Sequence, residues 1–142
     1  MAVLKPFGVV FFDIGGTLGT VTGSGSTRRL EPFASSANLL QTFSKVLGLR
    51  LGIITNIPDQ MSTEDVRRML ATAGLLTLLN SALIITSRDA GASKPDVKIY
   101  EFAARRAGVP TNQCLYVGED PAEVAGAQAS GMGGLVKSVP SQ

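Results

Sequence analysis

The chain has no histidine and no tryptophan, and only one of its 142 residues is cysteine. Without imidazole, Ser-His-Asp and Cys-His catalysis and metal binding through histidine are excluded. The single cysteine, Cys114, has no partner for an internal disulfide, and we expect it to be a small core residue rather than a reactive thiol. The chemistry that remains is that of carboxylates, hydroxyls, lysine and backbone amides.

Long apolar runs and a strong net charge are missing as well. No run reaches the ~18–20 apolar residues of a membrane span, and the run Val9–Phe12 ends on Asp13 instead of a cleavage site. The net charge is only +2, from 13 Lys and Arg against 11 Asp and Glu, and the basic residues are scattered. We therefore expect a soluble, cytoplasmic protein with no membrane partner and no nucleic-acid partner.

The composition that is present is typical of one globular domain. Hydrophobic residues make up 44% of the chain and charged residues 17%. A chain of this length can bury about 68–70% of its unfolded surface, so we predict a single domain over residues 1–142. Only the Gly/Ser/Thr-rich stretch 18–31 is too polar to build a core, and we predict a flexible loop, flap or hairpin there.

Apolar, partly β-branched runs alternate with helical patterns along the chain. Strands are predicted at Val9–Phe12, Leu51–Thr55, Leu83–Thr86, Leu115–Val117 and, more weakly, Leu135–Val136. Helical spacing follows Pro32, Ser62, Asp96 and Pro121, and each pattern ends at a glycine. This alternation predicts an α/β fold, a three-layer Rossmann-like parallel sheet of about five strands with helices on both faces.

Polar residues follow four of the predicted strands. In chain order they are Asp13, Thr55, Lys94 and the Gly118-Glu119-Asp120 cluster. Each has an ordinary structural explanation by itself, as a turn residue, a strand exit, a solvated charge or a helix N-cap. In a parallel sheet, however, the carboxyl ends of the strands share the edge where ligands bind. Together they favour a site for phosphate and a divalent metal, since carboxylates suit Mg²⁺ while hydroxyl, ammonium and amide groups suit phosphoryl oxygens.

Four segments resemble the motifs of the haloacid dehalogenase (HAD) superfamily of hydrolases. The first, Val9–Leu18, is a hydrophobic strand followed by Asp-Ile-Gly-Gly-Thr-Leu, close to the family's Asp-x-Asp-Gly-Thr-Leu. The second is Ile53–Asn56, the third starts at Ser93-Lys94-Pro95-Asp96, and the fourth runs from Leu115 to Ala127 and on to Met132. The four stand in the family's order and cover nearly the whole chain.

The resemblance implies a Mg²⁺-dependent phosphatase that acts through an aspartyl-phosphate on Asp13, with a phosphorylated small molecule or macromolecule as substrate. It implies catalytic roles for Asp13, Lys94 and Thr55, in which Lys94 neutralises charge between nucleophile and phosphate. It implies phosphate binding by Thr55, Asn56, Lys94 and Gly16. It implies metal binding by Asp13, by the Gly15 carbonyl and by fourth-motif acids, namely Glu119 with Asp120 or Glu123.

Gly15 departs from the family pattern. Family phosphatases carry a second Asp there, which protonates the leaving group and activates water. Losing a positioned acid–base typically forfeits about 10²–10⁴ in rate. Members that cleave carbon–halogen or carbon–phosphorus bonds also lack this Asp, so Gly15 fits either a different chemistry or an attenuated one. Glu119 and Glu123 stand where the family usually has aspartates. Their longer side chains can still bind a metal, but Mg²⁺ requires a nearly ideal octahedral geometry.

The spacing of the motifs argues against a cap domain. Asp13 and Thr55 are 42 positions apart, and Thr55 and Lys94 are 39 apart. One βαβ passage takes about 30 residues and an independent domain at least about 50, so neither interval holds a cap. Because the family's carbon–phosphorus and carbon–halogen cleaving members resemble capped enzymes, a HAD-like core without a cap favours the phosphatase. Such a site is open to water and to large substrates, unless a homo-oligomer supplies the lid.

Two functions are carried forward from the sequence. The first is a HAD-like phosphohydrolase whose activity is weak or specialised because of Gly15. The alternative is a catalytically attenuated HAD domain that binds a phosphorylated ligand or protein partner without turnover.

Overall fold

The computed structural model describes residues 7–24 and 27–138. At its centre is a five-stranded sheet of order β5-β4-β1-β6-β7, in which every neighbouring pair is parallel. Its strands are β1 Val9–Phe12, β4 Arg50–Thr55, β5 Ile84–Thr86, β6 Cys114–Gly118 and β7 Gly133–Val136. Strands β2 Gly19–Thr22 and β3 Arg29–Pro32 form a separate antiparallel hairpin. The predicted α/β fold is confirmed.

Five α-helices connect the strands. They are α1 Ser36–Gln41, α2 Thr63–Thr72, α3 Ser87–Ala90, α4 Val97–Ala107 and α5 Pro121–Ala129. Helix α1 continues as a π-helix over Thr42–Val46. Ser62 with Asp65 three residues later in the sequence predicts a capping box, and their side chains form it at the start of α2. Gly108 ends α4 in a left-handed conformation with φ 74°. The short helix α3 was not predicted, because its four residues offer no apolar periodicity.

The strand β1 shows why the fold has three layers. Its residues are fully buried and alternate in direction, so that Val9 and Phe11 pack with α4 and α5 while Val10 and Phe12 pack with α1 and α2. A strand that is apolar on both faces requires cover on both sides. The sheet therefore carries one apolar cluster on each face, and Asp13 follows the strand at the centre of both.

The Gly/Ser/Thr-rich stretch is ordered at its base. Leu18 and Leu30 are buried, and the Ser36 hydroxyl donates a hydrogen bond to the Leu18 carbonyl over 2.7 Å. Of the predicted loop, flap or hairpin over 18–31, the described residues form the hairpin, while Gly25 and Ser26 lie outside the described residues. The base of the hairpin is thus packed against the core.

The intervals between the motifs contain only short elements. Between β1 and β4 the described residues form the hairpin, α1 and its π-helical extension, and between β4 and β5 they form α2 and two 3₁₀ turns.

Within residues 7–24 and 27–138, no helix is long and apolar enough to cross a membrane.

Candidate active site

Asp13 stands directly after the central strand. Its backbone N–H donates to the Val117 carbonyl over 2.9 Å, so the β1–β6 ladder extends to the residue itself. The chain then turns sharply, because the N–H groups of Thr17 and Leu18 both donate to the Ile14 carbonyl. The Asp13 side chain is 14% exposed and lines a cavity of about 220 Å³, which we call the Asp13 cavity. The fold thus delivers one carboxylate to a cavity at the sheet edge.

Lys94 is the buried centre of the site. Its ammonium Nζ lies 2.8 Å from Asp13 Oδ1, 2.9 Å from Glu123 Oε1 and 2.8 Å from the Tyr116 hydroxyl. The Lys94 side chain is only 1% exposed. An ammonium group has three N–H donors, and these three oxygens match them. Two predicted residues, Asp13 and Lys94, are therefore in direct contact, and Glu123 joins them as a partner of the lysine.

Two tyrosines complete this network. The Tyr116 hydroxyl donates to Glu123 Oε1 over 3.2 Å, and the Tyr100 hydroxyl donates to the Glu123 carbonyl over 2.6 Å. Burial, followed by the nearby Asp13 and Glu123 carboxylates, raises the pKa of Tyr116 far above its usual value, so it stays a neutral donor. Sequence reasoning missed both tyrosines. The available signal was a hydroxyl at the apolar positions of a strand and a helix, where it needs a buried partner.

The second motif positions the lysine from β4. Asn56 Oδ1 accepts from the Lys94 backbone N–H over 2.8 Å, and Asn56 Nδ2 donates to the Lys94 carbonyl over 3.1 Å. The neighbouring Thr55 is 8% exposed and lines the Asp13 cavity. Its hydroxyl makes only a long bond of 3.4 Å to the Asn56 carbonyl. Thr55 therefore presents a weakly engaged hydroxyl to the cavity, whereas the Asn56 side chain is committed to Lys94.

The acids of the fourth motif have different surroundings. Glu119 lies against the turn after β1, since a Cβ added at Gly16 would come within 2.5 Å of its Cγ. Asp120 caps α5 by accepting from the Ala122 N–H over 2.9 Å, and Glu123 is held by Lys94 and Tyr116. The Gly16 N–H donates to the Gly19 carbonyl over 2.9 Å. Of the three acids, Glu119 is the one whose carboxylate has no hydrogen bond or ion pair among the described residues.

The side chains and carbonyl groups around Asp13 determine which metal this site could bind. In the described ranges, no three His, Cys, Asp or Glu side chains are grouped as a ready metal centre. The Asp13 and Glu119 carboxylates and the Gly15 carbonyl are hard oxygen donors near one turn. Mg²⁺ is commonly bound through one or two carboxylates, with water and substrate phosphate completing the octahedron. The chemistry of these three donors suits Mg²⁺, and their assignment as metal ligands stays a prediction.

Gly15 leaves open space in the cavity wall. A Cβ added there would have Val21 Cγ2 as its nearest neighbour at 3.8 Å, an ordinary van der Waals distance. The carboxylates that line the Asp13 cavity are those of Asp13 and Glu123, and both are paired with Lys94. Among the described residues lining the cavity, no carboxyl group is left free to act as the leaving-group acid.

The structure is a Rossmann-like α/β core with a lysine-paired carboxylate after its central strand. Residues 11–136 match the profile of the haloacid dehalogenase-like hydrolases, and the chain belongs to this family.

Three curated relatives carry related names. The chain is 34% identical over 89 residues to haloacid dehalogenase-like hydrolase domain-containing protein 3 of Danio rerio, covering 63% of this chain and 34% of that protein. It is 34% identical over 85 residues to phosphatase MT3486 of Mycobacterium tuberculosis, covering 60% and 37%. It is 30% identical over 107 residues to phosphoserine phosphatase of Thermus thermophilus, covering 74% and 40%. The chain thus spans between a third and two fifths of the length of these relatives.

Solved structures share the fold. A HAD phosphatase from Thermococcus onnurineus superposes with a TM-score of 0.64 at 29% identity, covering 75% of this chain and 46% of that one. A dehalogenase solved as an intermediate complex gives a TM-score of 0.66 at 25% identity, covering 76% and 45%. The same core therefore occurs in a phosphatase and in a dehalogenase.

Proposed function

We propose that this HAD-like hydrolase is a Mg²⁺-dependent phosphohydrolase whose nucleophile is Asp13. The observation that carries the proposal is the contact between the Asp13 carboxylate and the buried Lys94 ammonium, beside the Thr55 hydroxyl in one cavity. A cation there offsets the repulsion between a carboxylate and an incoming phosphate. Two relatives named as phosphatases support this choice.

The reaction would proceed in two displacements. An Asp13 carboxylate oxygen attacks phosphorus, and the bond from phosphorus to the leaving oxygen breaks, which leaves an aspartyl-phosphate and an alkoxide or phenolate that takes its proton from water. A second water attacks phosphorus, the bond to the Asp13 oxygen breaks, and phosphate and the free carboxylate are released. Mg²⁺ held by Asp13, Glu119 and the Gly15 carbonyl would supply charge stabilisation for the phosphoryl oxygens. Thr55 would donate a hydrogen bond to the same group.

The missing acid limits the substrates that such a site turns over quickly. With Gly15 in place of a carboxyl group, nothing among the described lining residues protonates a poor leaving group. We expect phosphate monoesters with acidic leaving groups, such as aryl phosphates, to be cleaved much faster than alkyl phosphates. The same observation favours the alternative function, an attenuated domain that binds a phosphorylated ligand without turnover.

The test is hydrolysis of p-nitrophenyl phosphate as Mg²⁺ is varied. We expect activity in the wild type that requires Mg²⁺ and is lost in Asp13→Asn, since an amide is a poor nucleophile. The matched control is Asp59→Asn, because Asp59 is an exposed carboxylate in the loop after β4. If the wild type and Asp13→Asn are equally inert, the phosphatase proposal fails. Phosphate or beryllofluoride binding that depends on Asp13, without turnover, would then establish the binding function.

A further inference from the structure

Arg28 is a second cation at the Asp13 cavity, and it has no part in the proposed phosphohydrolase reaction. It lies just before β3, on the hairpin, and lines the Asp13 cavity together with Asp13 and Lys94. It also lines a neighbouring cavity of about 330 Å³ between the hairpin and α2, which we call the hairpin cavity. The Arg28 side chain thus stands where the two cavities meet.

The bonding of Arg28 sets it apart from the other cations of the two cavities. Lys94 pairs with Asp13 and Glu123, Arg68 pairs with Asp65 at 2.9 Å, and Arg29 lies 3.9 Å from Glu31. The Arg28 Nε atom, in contrast, is buried and has no hydrogen-bond partner among the described residues. A buried donor without a partner is unfavourable, and a bound acceptor would remove this cost.

The surroundings of Arg28 select the kind of acceptor. The Asp13 cavity, which Arg28 shares with Asp13 and Lys94, is also lined by the apolar side chains of Val21, Met61 and Met69. A guanidinium group binds planar oxyanions through two parallel hydrogen bonds, and it is charged at all working pH values. The cavity thus combines the proposed phosphate position, apolar side chains and a guanidinium whose Nε atom has no partner among the described residues.

We propose that Arg28 is a specificity-determining residue that binds a second oxyanion, a carboxylate or a phosphate, on a small phosphate monoester. The proposal rests on the proposed function for the phosphoryl end of the ligand, and Arg28 extends it by naming the substrate class. A small cavity also limits the hydrocarbon between the two acidic groups to a few carbons, since about 220 Å³ is below the usual 300–1,000 Å³ of ligand pockets.

The test measures binding, so that it does not depend on turnover. Three phosphonates, which the enzyme cannot hydrolyse, are titrated by calorimetry in Mg²⁺ buffer: propylphosphonate, 3-phosphonopropionate and propane-1,3-diphosphonate. We expect the wild type to bind at least one of the two doubly acidic ligands about 10-fold to 100-fold more tightly than propylphosphonate. Which of the two is preferred distinguishes a carboxylate from a second phosphate.

Substitutions then assign the preference to Arg28. Arg28→Ala should abolish it, because it lowers the affinity for the doubly acidic ligand far more than the affinity for propylphosphonate, and Arg28→Lys should restore part of it. Arg29→Ala is the matched control, since Arg29 carries the same charge one position away and its side chain is 75% exposed. Its preference should equal that of the wild type.

The outcomes separate this proposal from the phosphohydrolase proposal. Equal affinity of the wild type for all three phosphonates, or an equal loss in Arg28→Ala and Arg29→Ala, overturns the role of Arg28 even if p-nitrophenyl phosphate is hydrolysed. A preference that disappears only in Arg28→Ala supports the role even if no phosphate ester is turned over. In that case the domain is a binding module for doubly acidic phosphate compounds.

Discussion

A carboxyl group introduced at position 15 should raise the rate of the proposed phosphohydrolase reaction. The structure permits the substitution Gly15→Asp, because a Cβ there meets only Val21 Cγ2 at 3.8 Å and Gly15 does not have the positive φ of the glycine that follows it. The fold should therefore be unharmed. The new carboxyl group would stand two residues after the nucleophile, at the wall of the cavity that contains the reacting groups.

The size of the effect follows from the leaving group. A positioned general acid–base contributes about 10²–10⁴ in rate, so kcat for an alkyl phosphate such as ethyl phosphate should rise by up to that factor. For p-nitrophenyl phosphate the rise should be much smaller, since nitrophenolate leaves without a proton. The assay is phosphate release from both substrates by the wild type and Gly15→Asp, compared at saturating Mg²⁺.

The control for this prediction is Gly15→Asn. Asparagine has the same shape as aspartate but no acid, so it should occupy the same space without raising kcat. If Gly15→Asp and Gly15→Asn hydrolyse ethyl phosphate equally well, or if both substrates gain by the same factor, the missing acid does not limit the reaction and the reasoning is refuted.

Two further predictions concern the buried network. Replacing Lys94 by Met removes the cation between the Asp13 and Glu123 side chains, which are 14% and 20% exposed. The free energy of unfolding in urea should fall by about 3 kcal/mol in Lys94→Met and change by less than about 0.5 kcal/mol in Lys98→Met, because Lys98 is exposed. Equal effects of the two substitutions would contradict the role assigned to Lys94. The chain has only two tyrosines, and burial followed by nearby carboxylates raises the pKa of both above the usual 10.0. In the folded protein, ultraviolet titration should show no tyrosinate near pH 10, whereas the chain in urea should titrate there. Because the unfolded chain releases these protons first, this contribution to stability is complete below pH 10 and falls as the pH rises above it. Tyrosinate in the folded protein at pH 10 would contradict the buried network.

The fold was largely predictable because its signals are local. The strand β1 lies at its predicted bounds, and the capping box at Ser62 begins α2 as predicted. These features depend on residues a few positions apart. The hairpin was harder to predict from the sequence, because the stretch 18–31 is mostly polar. The two leucines at its base, Leu18 and Leu30, are buried by residues elsewhere in the chain.

The sequence predicts that Asp13, Thr55 and Lys94 share one edge of the sheet, and in the structure they line one cavity. Motif order brought Asp13 and Lys94 together, as the direct ion pair shows. The contacts of Glu123 with Lys94 and of Tyr116 with both join residues 7 to 29 positions apart, and no rule of local sequence spacing predicts such partners. The Arg28-Arg29 pair in the sequence is likewise typical of solvated surface charges. Its position depends on how the hairpin packs, which composition does not reveal.

The amide side chain of Asn56 acts as if it were a piece of backbone. By donating to the Lys94 carbonyl and accepting from the Lys94 N–H, it makes the two-bond exchange that one residue of a strand makes with its neighbour in an antiparallel pair. Lys94 lies beyond the last residue of β5, where strand pairing no longer fixes the chain. The Asn56 side chain thus holds the backbone of Lys94 in place relative to the sheet. An aspartate at position 56 would keep the acceptor, lose the donor and add a charge.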